Sequence, residues 1–408
     1  MPYYRSNLYV LWLTTFLAAA SWTQVVPFLP LYLQELGIKE NLTQWSGFVF
    51  SLQFAAGILM APLWGRIADT HGRKLMTLRA GFCLSAIYFL MALATAPWHV
   101  AVLRFLNGAL TGFIPGSMSL VATNTPKELA ARYVASIQTA SAAGSIVGPV
   151  IGGALAEIFG IRGALYTSGS VVLFATLLVL FVVQERNKVA PKERSTFTDD
   201  IRTALHTPAM LWVMGATFLA TVASIAVQPI LAIYVGELAV NPSAALSGFV
   251  FTVPGIAFVL SAGRWVKLGE RVGHRRAVQW ALAGAAVSGV ALSFAPSVAT
   301  FSLLFFVQGI FLAGLRPAAS AIIAGEIDPS FHGRAFGMQT AATTLGGMFG
   351  PLVSGWVSGL WGISSVFWVI ALVLFAGGGV LHALERERRR HPAGAESAPA
   401  EHTSTLRS

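Results

Sequence analysis

Twelve long apolar stretches, separated by short charged or Pro/Gly-rich breaks, follow one another along the whole chain. A bilayer core needs about 20 consecutive apolar residues per helix, so each stretch is long enough to cross a membrane once. Only 11% of the 408 residues are charged and 55% are hydrophobic, whereas a soluble domain carries about 25% charged residues. Soluble and disordered classes are therefore excluded, and we expect an all-α membrane protein.

The apolar stretches predict the bounds of twelve transmembrane helices, which form two six-helix bundles. We expect the N-terminal bundle at 1–183, a cytoplasmic linker at 184–208, the C-terminal bundle at 209–384 and a disordered cytoplasmic tail at 385–408. The predicted helices are 8–34, 44–66, 76–96, 98–124, 132–158, 163–183, 209–238, 244–268, 277–296, 298–325, 333–360 and 362–384.

An internal repeat relates the two bundles. Residues 27–37 read PFLPLYLQELG and residues 229–239 read PILAIYVGELA. Gly148-Pro149 likewise matches Gly350-Pro351, and all these pairs are 201 or 202 positions apart. Repeats of this kind build transporters whose two halves are related by an axis along the membrane normal.

Positive charge is confined to alternate loops. On one side of the predicted membrane the loops carry only Lys39 and Arg162, and the other loops carry the remaining basic residues. The positive-inside rule then places both termini in the cytoplasm. The net charge of +10 is explained by this topology near anionic lipid, so no nucleic-acid partner is expected. Because Cys83 is the only cysteine, a disulfide framework or CxxC-type metal site is excluded.

The loop between predicted helices 2 and 3 has the pattern GxxxD-xx-GRK, formed by Gly65, Asp69, Gly72, Arg73 and Lys74. Glycines permit a tight turn and close helix approach, and Asp69 can bind a helix N-terminus or an arginine. A degenerate copy lies at 269–276. The loop resembles the signature loop of the major facilitator superfamily, which implies a conformational latch.

Predicted helix 5 contains the pattern GxxxGPxxGG, with Gly144, Gly148, Pro149 and Gly152 as its main positions. It resembles the motif of the exporting, proton-coupled antiporters of that superfamily. Proline removes a backbone hydrogen bond and glycines allow a partner helix to approach. We therefore expect a hinge here, at a seam between the two halves.

Arg104 lies inside predicted helix 4 and resembles the RxxxG element of the superfamily, which is associated with proton coupling. An arginine in the membrane is costly and marks a functional site by default, although it could instead bind backbone carbonyls. Every acidic residue falls at a helix end, in a loop or in the tail. The candidates for proton coupling are therefore Arg104, Glu35 and Asp69, with Glu35 alternatively a solvated helix end.

Polar side chains within the apolar helices are the candidates for lining a cavity between the halves. Amides could serve a ligand or bond a neighbouring helix. Arg316 has no acid at its depth, so its guanidinium should face water, carbonyls or an anionic ligand. The cavity candidates are Gln24, Asn107, Gln138, Gln228, Gln308, Arg316 and Gln339.

The resemblance extends over the whole chain and is strongest to the twelve-helix drug:proton antiporters, in particular MdtG-type multidrug efflux proteins. It implies a monomeric exporter of small amphipathic compounds in the bacterial inner membrane, exchanging them for protons by rocker-switch alternating access. A sugar or metabolite exporter or facilitator of the same fold remains the alternative. No enzymatic motif, metal cluster or phosphate loop is visible, so we expect no catalysis, metal or cofactor. A sensor would need an effector domain, and the 24-residue tail is too short for one.

Overall fold

The computed structural model describes residues 2–187, 207–328 and 331–390, and within these ranges the regular structure is entirely helical. In this part of the chain nine helical stretches are long and apolar enough to cross a membrane. One of them, Lys127–Val182, contains two helices, because the backbone leaves the helical region at Gly160. His274–Leu292 and His332–Trp361 are two further helices of similar length. The prediction of twelve helices is confirmed.

The first six helices, α1 to α6, form the N-terminal half. Helix α1 has two segments, Tyr3–Val25 and Leu29–Glu35, joined by a 3-10 turn at Val26–Phe28. The others are α2 (Leu42–His71), α3 (Arg73–Ala92), α4 (Pro97–Leu110 and Phe113–Asn124), and α5 and α6 (127–159 and 161–182).

The last six helices, α7 to α12, form the C-terminal half. They are α7 (Pro208–Ile225 and Gln228–Leu238), α8 (Ala244–Val272), α9 (His274–Leu292), α10 (Val298–Leu312 and Leu315–Glu326), α11 (His332–Trp361) and α12 (Ile363–Arg390).

The predicted tail and linker are only partly described. Helix α12 continues to Arg390. Residues 385–390, the first residues of the predicted tail, are therefore helical and not disordered as we expected. Glutamate and arginine are good helix formers, and the Glu385 carboxylate accepts a hydrogen bond from Arg275 of α9. Residues 391–408, and 188–206 of the linker, lie outside the described part of the chain.

Four helices at equivalent places in the repeat are interrupted, α4 and α10 near their middle and α1 and α7 nearer their C-terminal ends. The break in α4 falls at Gly112, whose φ of 129° is one that glycine adopts without steric cost. The break in α10 falls at Gly314, three residues before Pro317, which has no N–H to continue the helix. Each broken helix can therefore change direction within the membrane.

Each half has its own apolar core. In the C-terminal half the rings of Tyr234, Phe301 and Phe367 lie 5.1 to 5.7 Å apart, centroid to centroid. In the N-terminal half Tyr32 is buried and donates from its hydroxyl to the Met91 carbonyl oxygen at 2.7 Å. The halves are thus two packed units that can meet in more than one arrangement.

Candidate functional site

The two ends of the helix bundle differ in charge. We call the basic end the one where α2 meets α3, α4 meets α5 and α8 meets α9, and the opposite end the one where α1 meets α2 and α7 meets α8. The connections at the basic end carry Arg73, Lys74, Lys127, Arg275 and Arg276. Among the described residues, the basic side chains of the opposite end are only Lys39 and Arg162. The position of each candidate residue is therefore given relative to these two ends.

The two halves are joined near the opposite end. Among the described residues, three side-chain hydrogen bonds pass between the halves, and all lie in the part of the helices away from the basic end. They run from Ser51 Oγ to the Met348 carbonyl at 2.7 Å, from Thr252 Oγ1 to the Ile146 carbonyl at 3.0 Å, and from the Ala245 amide to Glu157 Oε2 at 3.1 Å. These bonds close that end.

Two glycines allow the halves to touch there. A Cβ on Gly47 of α2 would collide with the carbonyl oxygen of Pro351 in α11, and a Cβ on Gly248 of α8 would collide with that of Pro149 in α5. Gly47 and Gly248 occupy equivalent positions in the repeat, as do Pro149 and Pro351. The same backbone-to-backbone contact is therefore made twice, once on each side of the molecule.

Towards the basic end, no side-chain hydrogen bond joins a described residue of one half to a described residue of the other. Gln138 precedes Pro149 on α5 by eleven residues, or three turns, so it lies on the same helix face about 16 Å nearer the basic end. Pro149 contacts the other half, whereas Gln138 is exposed. That Gln138 lines a cavity between the halves stays a prediction.

Arg316 lies on the second segment of α10, in the C-terminal half. Its side chain is exposed although it lies ten residues from the end of α10. Ser320, one turn further along α10, accepts a hydrogen bond at 3.4 Å from Gln339 Nε2 of α11, the helix that contacts α2 of the other half. Arg316 and Gln339 thus lie near each other where α10 packs against α11, and their place in a cavity stays a prediction.

Sequence reasoning missed the threonines of α11. Thr340 precedes Pro351 by eleven residues, as Gln138 precedes Pro149, and Thr344 lies one turn from Thr340. Thr340 is exposed and Thr344 is half-buried, and each hydroxyl donates to a carbonyl of its own helix. The repeated triplet QTA at 138–140 and 339–341 is the sequence signal that could have identified this position.

Three predicted cavity residues are instead buried inside their own half. Gln24 donates from Nε2 to the Ala164 carbonyl at 3.1 Å and to Ser168, so it joins α1 to α6. Asn107 and Gln308 are each 1% exposed. The Gln308 amide lies beside Gly289 of α9, and Gln228 is half-buried where α7 resumes after its break. These helices carry apolar residues on every face, so their sequence did not indicate which face would meet a cavity.

The predicted latch loop has a partner that the sequence did not reveal. Gly72 separates α2 from α3 with a φ of 97°. The carboxylate of Glu185, just after α6, then accepts the backbone amides of Arg73 at 2.8 Å and Lys74 at 3.0 Å. A carboxylate at a helix N-terminus is stabilised by the free N–H groups and the helix dipole. Gly65 lies within α2, and the side chain of Asp69 is outside the described part of the structure.

The C-terminal half has an equivalent charged cluster, which sequence reasoning also missed. Arg275 is buried and pairs with Glu326 of α10 at 2.7 Å and with Glu385 of α12 at 2.8 Å. Its guanidinium also lies 5.2 Å from the ring centroid of buried Trp212. The cluster ties α9, α10, α12 and α7 together at the basic end.

The glycines of α5 pack differently from our expectation. A Cβ on Gly144, Gly148 or Gly152 would collide with the backbone or side chains of α1, within the same half. Pro149 and Gly153, by contrast, contact α8 of the other half. The motif therefore has two faces, and the seam between the halves is formed by Pro149 rather than by the three glycines. Each of the two faces carries glycine, so the sequence alone did not show which face meets the other half.

The predicted proton-coupling residues lie far apart. Arg104 is 2% exposed, lies 5.2 Å from the Phe50 ring centroid, and its Nε has no hydrogen-bond partner among the described residues. The hydroxyl of buried Tyr88, which interacts electrostatically with Arg104, is also without a partner in that part of the chain. Glu35 is exposed at the opposite end, beside Ala156 of α5 and Ala244 of α8.

The chain is similar to known transporters over nearly its whole length. It is 32% identical over 377 residues to the multidrug resistance protein MdtG of Proteus mirabilis, covering 91% of this chain and 94% of that protein. It is 34% identical over 391 residues to MdtG of Escherichia coli O1:K1, covering 94% and 96%. An uncharacterized MFS-type transporter of Bacillus subtilis, YuxJ, is 33% identical and covers 93% and 98%.

Solved structures share the fold at much lower identity. The nucleoside transporter NupG superposes with a TM-score of 0.75 at 15% identity, covering 95% of this chain and 100% of that one. A bacterial homologue of the human lysosomal transporter Spinster, in an inward-facing and occupied conformation, gives 0.79 at 14% identity, covering 95% and 97%. Residues 11–241 and 213–407 each match the profile of the Major Facilitator Superfamily. The chain is therefore a membrane transporter that belongs to the Major Facilitator Superfamily.

Proposed function

We propose that this transporter exports small amphipathic compounds from the cytoplasm, as a multidrug efflux protein of the bacterial inner membrane. The observation that supports this most directly is the set of hydrogen bonds that joins the two halves away from the basic end, and we infer that a cavity between the halves opens at the basic end. Basic loops favour the cytoplasmic side, so the cavity would be open to cytoplasmic compounds. The relatives named as multidrug resistance proteins support the same class of substrate.

The chemistry of the cavity suits ligands with both polar and apolar parts. The exposed amide of Gln138, the exposed hydroxyl of Thr340 and the half-buried amide of Gln339 lie on helices that are mainly apolar. A pocket of this kind can orient a ligand with few polar contacts while accepting varied apolar groups. Arg316 adds a positive charge to one wall, so we infer that anionic and zwitterionic compounds are among the substrates.

Transport would follow alternating access in a single chain. The contacts of Gly47 and Gly248 close one end, and the signature loop with Asp69 would hold the halves together at the other end in the alternate state. Because α1, α4, α7 and α10 are each interrupted within their length, each could bend as the halves rock.

Exchange for protons is the finer part of the proposal. Glu35 lies where α1 faces α5 and α8 at the closed end, so protonation there could weaken or strengthen that closure. Asp69 lies at the basic end of α2. Buried Arg104, which has no carboxylate partner among the described residues, would sense a change of charge in the N-terminal half.

Uptake of a fluorescent amphipathic dye into proteoliposomes tests the proposal. The protein should accumulate the dye against its gradient only when a pH gradient is imposed, and Glu35→Gln should abolish the accumulation while keeping downhill flux. Gln34→Asn, at the exposed neighbouring position, is the control and should behave as wild type. Accumulation that needs no pH gradient would contradict proton exchange, and no dye flux at all would contradict multidrug transport.

Facilitated transport of a sugar or metabolite is the second candidate. One observation favours it: among the described residues every carboxylate lies near a helix end rather than at the middle of a span. A transport site at the middle of the membrane would then have no carboxylate beside it to carry a proton. Saturable downhill flux of one compound, with no accumulation of any dye under a pH gradient, would support this alternative.

A further inference from the structure

A cleft between α1 and α5 lies at the basic end, away from the central cavity. It has a volume of about 370 Å³ and is lined by two arginines, Arg5 and Arg132, together with Tyr9 and Tyr133. Leu8 and Leu129 supply apolar surface. The cleft thus combines positive charge, aromatic rings and apolar surface within one small volume.

The two arginines of the cleft have no partner in the part of the chain that the structure describes. Both are exposed, and no hydrogen bond or ion pair joins either guanidinium to a described residue. None of the lining residues is acidic. Guanidinium groups bind phosphate oxygens through paired, charge-assisted hydrogen bonds. The cleft is therefore suited to a phosphate group.

The cleft lies on the lipid-facing side of α5. Eighteen residues are five turns of an α-helix, so positions 18 apart lie on the same face. Arg132 lies on the same face as Val150, and Tyr133 lies on the same face as Ile151. The side chains of Val150 and Ile151 are 42% and 41% exposed. Val150 and Ile151 lie beside Pro149, at the level where the two halves are in contact. Because the halves leave no space between them at this level, the exposed side chains of Val150 and Ile151 face lipid.

The depth of the arginines matches that of lipid headgroups. Arg5 and Arg132 lie within about six residues of the starts of α1 and α5, or about 9 Å along the helix axis. Tyrosines are typical of this interfacial level. Leu8, one turn deeper in the membrane than Arg5, could contact the first acyl carbons of a lipid.

We propose that this cleft binds the phosphate headgroup of an anionic phospholipid, clamped between Arg5 and Arg132. The source of the phosphate is a membrane lipid, because the cleft opens on the lipid-facing side. The proposal does not depend on which substrate the protein transports.

Native mass spectrometry of the purified protein, titrated with phosphatidylglycerol, tests this site. The double variant Arg5→Gln/Arg132→Gln should bind the lipid about thirtyfold more weakly, the loss expected when two basic contacts to an anionic headgroup are removed. The matched control Lys127→Gln/Arg386→Gln removes the same charge from exposed positions outside the cleft. It should bind within about twofold of wild type, a difference of well under 1 kcal/mol.

Two results would overturn the proposal. One is lipid binding by the Arg5→Gln/Arg132→Gln variant that equals that of the control. The other is displacement of phosphatidylglycerol by millimolar glycerol phosphate, since the cleft would then be a site for soluble phosphates. Binding that survives glycerol phosphate and is lost only in the cleft variant supports the lipid site. Dye transport by the cleft variant would show whether the two proposals stand independently.

Discussion

Trp64 of α2 and Trp265 of α8 are equivalent residues of the two halves and make the same contact. Each indole Nε1 donates a 2.6 Å hydrogen bond to a carbonyl oxygen, Trp64 to Ala109 and Trp265 to Ile310. The acceptors are also equivalent, and each lies just before the break in α4 or α10. In α10 the Gly314 amide donates to the Phe311 carbonyl oxygen instead of to that of Ile310. The Trp265 indole therefore replaces the donor that the Ile310 carbonyl loses at the break.

We predict that Trp265→Phe lowers stability by about 1–2 kcal/mol, since a carbonyl within the membrane loses its donor while the ring volume is nearly kept. Trp64→Phe should have a similar effect. Thermal unfolding in detergent measures both. Trp280→Phe is the control, because Trp280 is 54% exposed and makes no hydrogen bond to described residues. Equal stability of all three variants would refute the role assigned to the two indoles.

Arg316→Gln should reduce export of anionic dyes at least tenfold and change export of neutral and cationic dyes by less than about twofold. The reason is that Arg316 is an exposed positive charge, which we propose lies on the cavity wall, while its equivalent in the N-terminal half is Ile114. Efflux of a charge-matched dye panel measures the effect. Arg386→Gln, at the basic end of α12, controls for net charge. Equal loss for every dye, or no loss, would contradict the substrate class proposed for this wall.

The signature loop should separate transport from stability. We expect Asp69→Asn to slow transport at least tenfold with little effect on unfolding, because the latch is proposed to act only in the alternate conformation. Glu185→Gln should instead destabilise the protein by about 1–2 kcal/mol, since its carboxylate caps α3 through the amides of Arg73 and Lys74. Transport and thermal unfolding are measured on both variants. Wild-type transport by a well-inserted Asp69→Asn protein would contradict the latch.

Arg275→Gln should destabilise the C-terminal half more than any other charge removal at the basic end. Two carboxylates, those of Glu326 and Glu385, would lose a buried partner, at a cost on the order of 3 kcal/mol. Arg276→Gln is the control, because Arg276 is the exposed neighbour. Limited proteolysis and thermal unfolding measure the change. Similar stability of the two variants would show that the ion pairs contribute little.

Much of the fold follows from the length of the apolar runs. The prediction of a helix at 98–124 and the observed α4 at 97–124 nearly coincide, because a bilayer requires runs of this length. The break inside α4 was not predicted. Gly112 was visible in the sequence, but a glycine in a membrane helix serves close packing as often as a turn.

The candidate site was harder to predict. Gln138 and Gln308 are both amides within apolar helices, yet the first is exposed and the second is buried beside Gly289. Membrane helices are apolar all round, so hydrophobic periodicity does not identify the face turned to the cavity. Glu185 follows the last helix of the N-terminal half and Glu385 lies near the end of α12, and only folding brings them to Arg73 and Arg275.

Distances across the two mouths of the cavity, measured by electron paramagnetic resonance between pairs of spin labels, test alternating access most directly. On a Cys83→Ser background, labels at Phe159 and Val240 report the opposite end, and labels at Glu128 and Lys267 report the basic end. All four positions are exposed. The pairs connect α5 to the C-terminal half at both ends, so opening and closing should change them in opposite directions.

We predict that Gly47→Ala/Gly248→Ala lengthens the distance at the opposite end and shortens that at the basic end, because each added methyl group collides with a proline carbonyl of the other half. Gly148→Ala is the control, since its methyl group collides with α1 in the same half, and both distances should remain as in wild type. Unchanged distances in Gly47→Ala/Gly248→Ala, in a protein that remains folded, would contradict the closure of the transporter through these glycines.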